Sequence, residues 1–382
     1  MTAVAGAETP DDATVVVKLA LGARGLPADA GDGTHRWGRL ACRGGKTRQG
    51  HQSQPGRHRP FVFESWEPGV KWSYTKFPNY RRKGLPYLDK VVYTLISDNQ
   101  VQSTGLRSRE IDAISGPGAL AKQFDTLKGA DLTIEEAPGL QIFVAYMNGG
   151  RPPFNNPALA QAFNFALDRE ELVQVGTSGH GSVQSGFIPK SHPYFDAAFQ
   201  PYPPRGDERM AKQKLAEGGM PDGFTCTIDV TNADVFPSMA QAAQAQLAKV
   251  GIKATVRLND STGTSTRLLV SLDMDAILGT VPVQANLYNT AAQVYATTGG
   301  FNPKGQRVPN PQIDALVRQA GAATTEDEAR KAYLELQKLV AEDGRNPVFG
   351  IANVISYAQK SVRDHPASAD GATRLTRVWL NK

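Results

Sequence analysis

Two short motifs contain the residue types of an acyl-transfer site. Ser73 and Lys76 are spaced as in S-x-x-K, a motif of serine acyl-transfer enzymes in which a lysine helps to activate the nucleophilic serine. Ser97-Asp98-Asn99 matches the S-D-N motif of the same enzymes. The K-T-G motif that completes the set is absent, and Ser73 falls in an alternating strand pattern rather than at a helix start. A serine acyl hydrolase using Ser73 and Lys76 is therefore an alternative interpretation.

A pair of carboxylates is the second candidate for chemistry. Asp273 and Asp275 flank Met274 with strand spacing, so both side chains would point to one side of a strand. Paired carboxylates can perform acid–base catalysis. We favour the simpler interpretation, the polar start of a strand, and assign no catalytic residue.

Motifs for metals, phosphates and redox chemistry are missing from the sequence. The six histidines have no partner at i,i+4, and Cys42 and Cys226 form neither a C-x-x-C pair nor a disulfide framework. No P-loop, H-E-x-x-H, G-x-S-x-G or G-x-G-x-x-G pattern is found. We therefore expect no cofactor, no metal site and no enzymatic activity.

The positive charge is concentrated in one segment. The formal net charge is +5, yet residues 31–60 alone carry seven basic residues and one acidic residue, so the rest of the chain is slightly negative. Trp37 is the single aromatic residue in that run, whereas nucleic-acid interfaces usually combine basic and aromatic residues on a structured face. Nucleic-acid binding by this basic arm is a second alternative; our main expectation is a poorly ordered basic segment over residues 1–59 and no bound nucleic acid.

Targeting and membrane segments are not visible in this sequence. Residues 1–15 lack the basic and apolar regions of a secretory signal. No run of 18 apolar residues is present, so we expect no membrane span.

The hydrophobic pattern predicts alternating strands and helices, and 382 residues suit two domains. The clearest unit is a strand at Phe224–Val230, a helix at Pro237–Val250 and a strand at Ile252–Leu258, which predicts a βαβ crossover. We predict an α/β fold with two blocks, 60–146 and 147–346, followed by a tail.

From residue 60 onward, the chain contains a series of short motifs. They are 60–69 (PFVFESWEPG), 78–80, 84–92, 106–113, 151–156, 162–169, 246–253, 299–302 and 310–316. These motifs resemble those of the family 5 extracellular solute-binding proteins, the peptide-, dipeptide- and nickel-binding components of ABC importers. Each motif is short, but all occur in the order that the family has.

Two stretches depart from the family pattern. Only Pro60-Phe61 match the family's Gly-Thr-Gly-Pro-Phe motif, and the basic arm before them has no family counterpart, so we expect an N-terminal truncation. The first lobe should then be incomplete and should expose a sheet edge or apolar surface. After Gly279, the residues from Thr280 to Asn286 replace the Trp and Asp-Pro that the family often has. An acidic partner for a peptide amino terminus is therefore missing at that place, which puts simple peptide selectivity in doubt.

The resemblance implies a two-lobed, periplasmic-binding-protein-like (type II) fold with its ligand in an interlobe cleft. The expected domains are a non-family segment (1–59), a partial first lobe (60–146 plus 347–382) and a second lobe (147–346). The implied function is the capture of a peptide or similar small polar solute and its delivery to the permease subunits of an ABC importer. The protein would be a monomer that acts outside the cytoplasm, in the periplasm or at the cell surface.

Ligand contacts are expected where the chain crosses between lobes and in the loop that follows a late strand. The crossings are predicted near Tyr146–Gly150 and Asn346–Gly350, where Gly and Asn can absorb backbone rotation. The candidate ligand-binding residues are Tyr146, Asn148, Thr280, Gln284, Asn286 and Asn289.

Overall fold

The structure, a computed structural model, describes residues 4–11, 14–19, 59–96, 98–118, 120–232, 235–284, 286–302 and 310–381. Two short N-terminal strands apart, the predicted basic arm lies outside the described residues. Ser97 of the S-D-N motif also lies outside them.

Strands and helices alternate along most of the described chain, which confirms the predicted α/β class. The strands are β1 (Val4–Asp11), β2 (Thr14–Leu19), β3 (Phe61–Glu67), β4 (Lys71–Lys76), β5 (Lys90–Thr94), β6 (Ala113–Pro117), β7 (Leu132–Ala137), β8 (Gln141–Met147), β9 (Gly181–Val183), β10 (Thr225–Thr231), β11 (Lys253–Asn259), β12 (Ala276–Pro282), β13 (Val348–Ala352), β14 (Val354–Gln359), β15 (Val362–Arg363) and β16 (Trp379–Leu380). The helices are α1 (Asn99–Ser108), α2 (Phe124–Lys128), α3 (Pro157–Ala166), α4 (Arg169–Thr177), α5 (Glu208–Glu217), α6 (Phe236–Ala248), α7 (Ser261–Thr266), α8 (Leu287–Val294), α9 (Pro311–Ala322) and α10 (Glu326–Asp343).

The chain divides into two compact units. Unit 1 consists of Pro138–Asn353, with which the antiparallel β1–β2 pair is grouped. Unit 2 consists, within the described residues, of 59–137 and 354–381.

Unit 1 is built on a six-stranded sheet in the order β11-β10-β12-β8-β13-β9. Strands β10 and β11 are parallel along their whole length and are joined by α6, which confirms the predicted βαβ crossover. Successive residues of β8 enter different cores: Phe143 packs in one and Val144 in the other. The sheet therefore has an apolar layer on each face, and β8 is buried on both sides.

Local sequence signals set the ends of several unit 1 helices. The Asn156 side chain accepts a hydrogen bond from the Ala158 amide, and Pro157 follows as the first helical residue, so these two residues define the start of α3. Beyond α6, Gly251 adopts a φ of 92°, and a Cβ added to Gly223 would lie 2.0 Å from the Gly251 carbonyl oxygen. Both positions require glycine because the two backbones nearly touch.

The unit boundaries lie at other residues than the predicted lobe boundaries. The prediction placed β8 in the first block and the crossings near Tyr146 and Asn346. The structure places the boundaries at Pro138 and Asn353 instead, so β8 and β13 both belong to unit 1. The reason is that β13 pairs with β8, and β8 pairs with β12, so the three strands form one continuous sheet.

Unit 2 contains small sheets and small apolar clusters. The sheets are β6-β14-β7, β3-β4-β5 and the β15-β16 pair. Leu106, Leu127 and Tyr357 form the centre of its largest cluster. Phe63 and Trp66 on β3 are 57% and 65% exposed, so the expected exposed apolar surface is found on this sheet.

Candidate functional site

The strand ends of unit 1 point to one edge of its sheet as the candidate site. The carboxyl ends of β10, β11, β12 and β13 and the starts of β8 and β9 lie at the same edge, which we call the carboxyl edge. The strand order reverses at β10. The chain passes from β10 to β11 on one side of it and then continues to β12 on its other side. In open α/β sheets, ligands bind outside the carboxyl ends of strands at such a reversal.

Gln141 and Thr280 form a hydrogen-bonded pair at the carboxyl edge. Gln141 begins β8, directly opposite Pro282 of β12, and Thr280 lies two residues before Pro282. The Gln141 Nε2 donates to the Thr280 Oγ1 at 2.7 Å, and both side chains are half-buried. The pair therefore offers polar groups to solvent from two central strands.

Tyr146 supports this pair from within the core. Its side chain is buried, its hydroxyl donates to the Thr280 carbonyl oxygen at 3.1 Å, and its ring stacks on Phe301 with centroids 6.0 Å apart. A Cβ on Gly279 would lie 3.4 Å from the ring, so the ring lies across the backbone of β12. Tyr146 thus shapes the end of β12 rather than presenting its hydroxyl to solvent.

Gln284 and Asn289 form a second polar pair just beyond β12. The Asn289 Nδ2 donates to the Gln284 Oε1 at 3.1 Å, and both residues are exposed. Asn286 lies between them and caps α8, since its side chain accepts from the Tyr288 amide. The Gln284 backbone N–H donates to the Thr290 hydroxyl, and this hydrogen bond fixes the turn into α8.

Asn148 lies at the opposite end of the β8–β12 pair. Met147 is paired with Ala276 at the start of β12, so Asn148 follows beyond that end. Its side chain is buried, donates to the Leu272 carbonyl oxygen and accepts from the Gly150 amide. Five of the six candidate residues thus come together near the end of β12, and Asn148 does not.

Gln141 is the residue that the sequence-based reasoning missed. It lies three residues after the unit boundary at Pro138 and begins β8, whose strand partner cannot be read from the sequence. Only the β8–β12 register, which places Gln141 opposite Pro282, brings it to Thr280.

The paired carboxylates, Asp273 and Asp275, form ion pairs with arginine side chains. Arg151 contacts Asp275 at 2.6 Å and Asp273 at 3.4 Å, and Arg267 contacts Asp273 at 2.8 Å. The hydrogen bonds from Arg267 and Arg151 lower the pKa of Asp273. Both groups thus belong to an ion-pair network, which supports the structural interpretation of this pair.

The serine–lysine motif has no catalytic geometry. Ser73 is buried in the middle of β4 and pairs with Ser65 and Val92. Lys76 lies three positions further along the same strand, so its side chain points to the other face, where it contacts Asp89 at 3.9 Å. Ser73 and Lys76 therefore do not form a nucleophile–base pair, and the acyl hydrolase interpretation has no geometric support.

Among the described residues, no three His, Cys, Asp or Glu side chains are grouped closely enough to hold a metal ion. In the same part of the chain, no helix has the length and hydropathy required to span a bilayer.

Comparison with known proteins assigns the chain to a family. Residues 1–304 match the family described as bacterial extracellular solute-binding proteins, family 5 Middle, and the chain belongs to this family. The glutathione-binding proteins GsiB of Salmonella typhimurium and Escherichia coli K12 are each 30% identical to it, over 203 and 204 residues, or 53% of this chain. The chain spans 39% of the length of those relatives.

Solved structures show the fold. The Helicobacter pylori protein DppA, solved with the peptide STSA, has a TM-score of 0.73 at 22% identity, with 85% of this chain and 63% of that chain covered. AgaA from A. tumefaciens R10, solved with agropinic acid, has a TM-score of 0.78 at 22% identity, with 100% and 78% covered. The predicted fold class, that of two-lobed periplasmic binding proteins, is confirmed by these similarities.

Proposed function

We propose that the protein binds a peptide or a similar small polar solute at the carboxyl edge of unit 1, as the substrate-binding component of an ABC importer. The observation that carries the proposal is the arrangement of Gln141, Thr280, Gln284 and Asn289 at a strand-order reversal, in a chain of a solute-binding family. Amide and hydroxyl groups of this kind bind uncharged polar groups by hydrogen bonds.

The named ligands of similar proteins support this ligand class. They are glutathione for the curated relatives, and a tetrapeptide and agropinic acid for two solved structures. Peptides, glutathione among them, carry amide groups, which suit a neutral hydrogen-bonding site. We propose that this chain shares the class, without choosing among these molecules.

The proposed partners and location follow the family. The chain would act as a monomer outside the cytoplasm, in the periplasm or at the cell surface, and deliver its solute unchanged to permease subunits. It would need no cofactor and bind no nucleic acid.

Thermal unfolding of the whole chain with a ligand panel tests the proposal. The panel consists of glutathione, di- to pentapeptides and agropinic acid, with lactose as the negative control. A ligand at about 100 times its Kd stabilises the folded protein by about 2.7 kcal/mol, which corresponds to an increase of about 5 °C or more in Tm. A folded protein whose Tm is unchanged by every amide-bearing member of the panel would contradict the proposal.

A further inference from the structure

We propose that the Gln141–Thr280 and Gln284–Asn289 pairs are two readers of the peptide group, each presenting at least one hydrogen-bond donor and one acceptor to the ligand. This inference rests on the proposed function and makes it more specific. It assigns a binding role to Gln141 and selects extended peptides over single amino acids and dipeptides.

The first reader follows from the bonding capacity of a glutamine and a threonine. A glutamine amide has two N–H donors and a carbonyl acceptor, and a threonine hydroxyl has one donor and two lone pairs. One N–H of Gln141 is used on the Thr280 oxygen at 2.7 Å. Within the described part of the chain, the Thr280 hydroxyl proton and the Gln141 carbonyl oxygen have no protein partner. The pair therefore presents a donor beside an acceptor.

The second reader also has both donor and acceptor groups free. The Asn289 amide donates to the Gln284 carbonyl oxygen at 3.1 Å. In the residues that the structure describes, no protein group bonds the Gln284 NH2 or the Asn289 side-chain oxygen. Both residues are exposed, so these groups are accessible to a ligand.

A peptide group is the complement of each reader, because it has one N–H donor and one C=O acceptor. The match does not depend on the orientation of the amides. Exchanging oxygen and nitrogen in Gln141 makes the Thr280 hydroxyl the donor of the first internal hydrogen bond, and exchanging them in both Gln284 and Asn289 reverses the second. At least one donor and one acceptor remain in each pair. Neither reader carries a charge, so neither selects an ammonium or a carboxylate group.

The separation of the readers determines the length of ligand that can reach both. Thr280 and Gln284 are four residues apart, and β12 remains extended past its end because the Val283 amide donates to the Leu140 carbonyl oxygen. Val281 and Val283 are buried, so Thr280 and Gln284 lie on the other side of the strand. Four extended residues span about 13 Å, so a pentapeptide can contact both readers and a dipeptide can contact only one.

Calorimetric titration of variants of the whole chain tests the inference. The probes are Ala-Ser-Ala-Ser-Ala, Ala-Ser, and pentapeptides in which one amide is replaced by an ester and thus lacks its N–H. The variants are Thr280→Val, Gln141→Leu, Gln284→Leu and Asn289→Leu. Gln312→Leu, at an exposed glutamine on α9, is the matched control, and Thr280→Ser keeps the hydroxyl.

Loss of one net hydrogen bond corresponds to about a 5-fold increase in Kd. We expect this loss for each of the four variants with the pentapeptide, and unchanged binding for Gln312→Leu. Thr280→Ser should bind more tightly than Thr280→Val because it retains the hydroxyl. Ala-Ser should bind the unmodified protein about 5-fold or more weakly than the pentapeptide does. An ester at a position read by Gln141 should weaken binding to the unmodified protein but not to Gln141→Leu.

The outcomes separate the inference from the proposed function. If the unmodified protein binds the pentapeptide and all four variants stay within twofold of it, the inference is wrong and the proposed function stands. If Ala-Ser binds as tightly as the pentapeptide, the two-reader arrangement is wrong. If the unmodified protein binds neither peptide and does not bind glutathione, the proposed function and the inference both fail.

Discussion

Unit 1 and unit 2 differ in how completely their sheets are covered. The central strands of the unit 1 sheet have apolar layers on both faces, so residues such as Phe163 and Ile277 are almost fully buried. In unit 2, β3, β4 and β5 place Phe63, Trp66 and Tyr93 on one face by their register, and all three rings remain at least 36% exposed. The same kinds of apolar residue therefore have different energetic roles in the two units.

Unit 1 determines the stability of the candidate site. Buried apolar area is the main favourable term in folding, at about 25 cal/mol per Å². Gln141, Thr280, Gln284 and Asn289 all lie on elements of unit 1 or directly beyond them. The candidate site is therefore held by the better-packed unit.

Phenylalanine truncation should show the largest difference between the units. Phe163 is fully buried on α3 with its ring 5.8 Å from Phe154, so Phe163→Ala should lower the free energy of unfolding of unit 1 by about 3–5 kcal/mol. Phe63→Ala, its matched control in unit 2, should change stability by about 0.5 kcal/mol or less. Urea denaturation followed by circular dichroism measures both, and equal losses would contradict the comparison.

A buried arginine gives the next largest expected effect. Arg169 is fully buried in unit 1 and donates to the Val348 carbonyl oxygen at 2.9 Å and to the Asn164 side-chain oxygen at 3.1 Å. Burial lowers its pKa to about 10, so it remains protonated at neutral pH. Arg169→Ala would leave these acceptors unsatisfied and should destabilise unit 1 by about 3 kcal/mol.

Arg205→Ala is the control for this substitution. The Arg205 side chain is 79% exposed and pairs with Glu170 at the surface. Its removal should leave the urea midpoint unchanged within error. A comparable loss in both variants would mean that burial does not set the contribution of Arg169.

The two units should unfold at different urea concentrations. The described tryptophans, Trp66, Trp72 and Trp379, all lie in unit 2, whereas α3 to α10 lie in unit 1. Tryptophan fluorescence should therefore report mainly on unit 2, and ellipticity at 222 nm mainly on unit 1. We expect the fluorescence midpoint to be lower by about 1 M urea, which corresponds to about 2 kcal/mol. Coincident transitions would instead indicate one cooperative unit.

Much of the unit 1 fold could be predicted from the sequence because its signals are local. Asn156-Pro157 marks a helix start, and the strand–helix–strand pattern that ends at Leu258 specifies a parallel crossover. The unit boundary at Pro138 could not be predicted in this way. It depends on the pairing of β8 with β12, and the residues involved are more than 120 positions apart in the chain.

The candidate site was predictable only in part, for the same reason. Polar residues after a predicted strand drew attention to Thr280 and Gln284, and the structure places both at the carboxyl edge. Tyr146 and Asn148 are two residues apart in sequence, yet one supports Thr280 and the other bonds Leu272 at the far end of the strand pair. Sequence proximity could not distinguish them, because side-chain direction and register decide which end each one reaches.

The smallest expected effect is a pH dependence confined to unit 2. His365 lies close to β14, where the Ser356 hydroxyl is 2.7 Å from its Nδ1 and donates to its carbonyl oxygen at 3.2 Å. Burial lowers the pKa of His365, and the Glu135 carboxylate on β7 opposes that shift. Glu135 also accepts a hydrogen bond from the Ala367 backbone amide, so β7 contacts the segment that carries the histidine.

The direction of the effect follows from linkage. Because the folded-state pKa lies below the unfolded value of about 6.5, the unfolded chain binds the proton first. The contribution of neutral His365 to the free energy of unfolding is therefore complete above about pH 6.5 and is lost as the pH falls toward the folded-state pKa. At pH 5.5 the loss should be at most about 1 kcal/mol after solvent screening. Urea midpoints from tryptophan fluorescence at pH 7.5 and 5.5 should show this decrease, and the unit 1 ellipticity midpoint should not. His365→Gln, which cannot titrate, should remove the difference, and a slope that persists in this variant would assign the proton to another group.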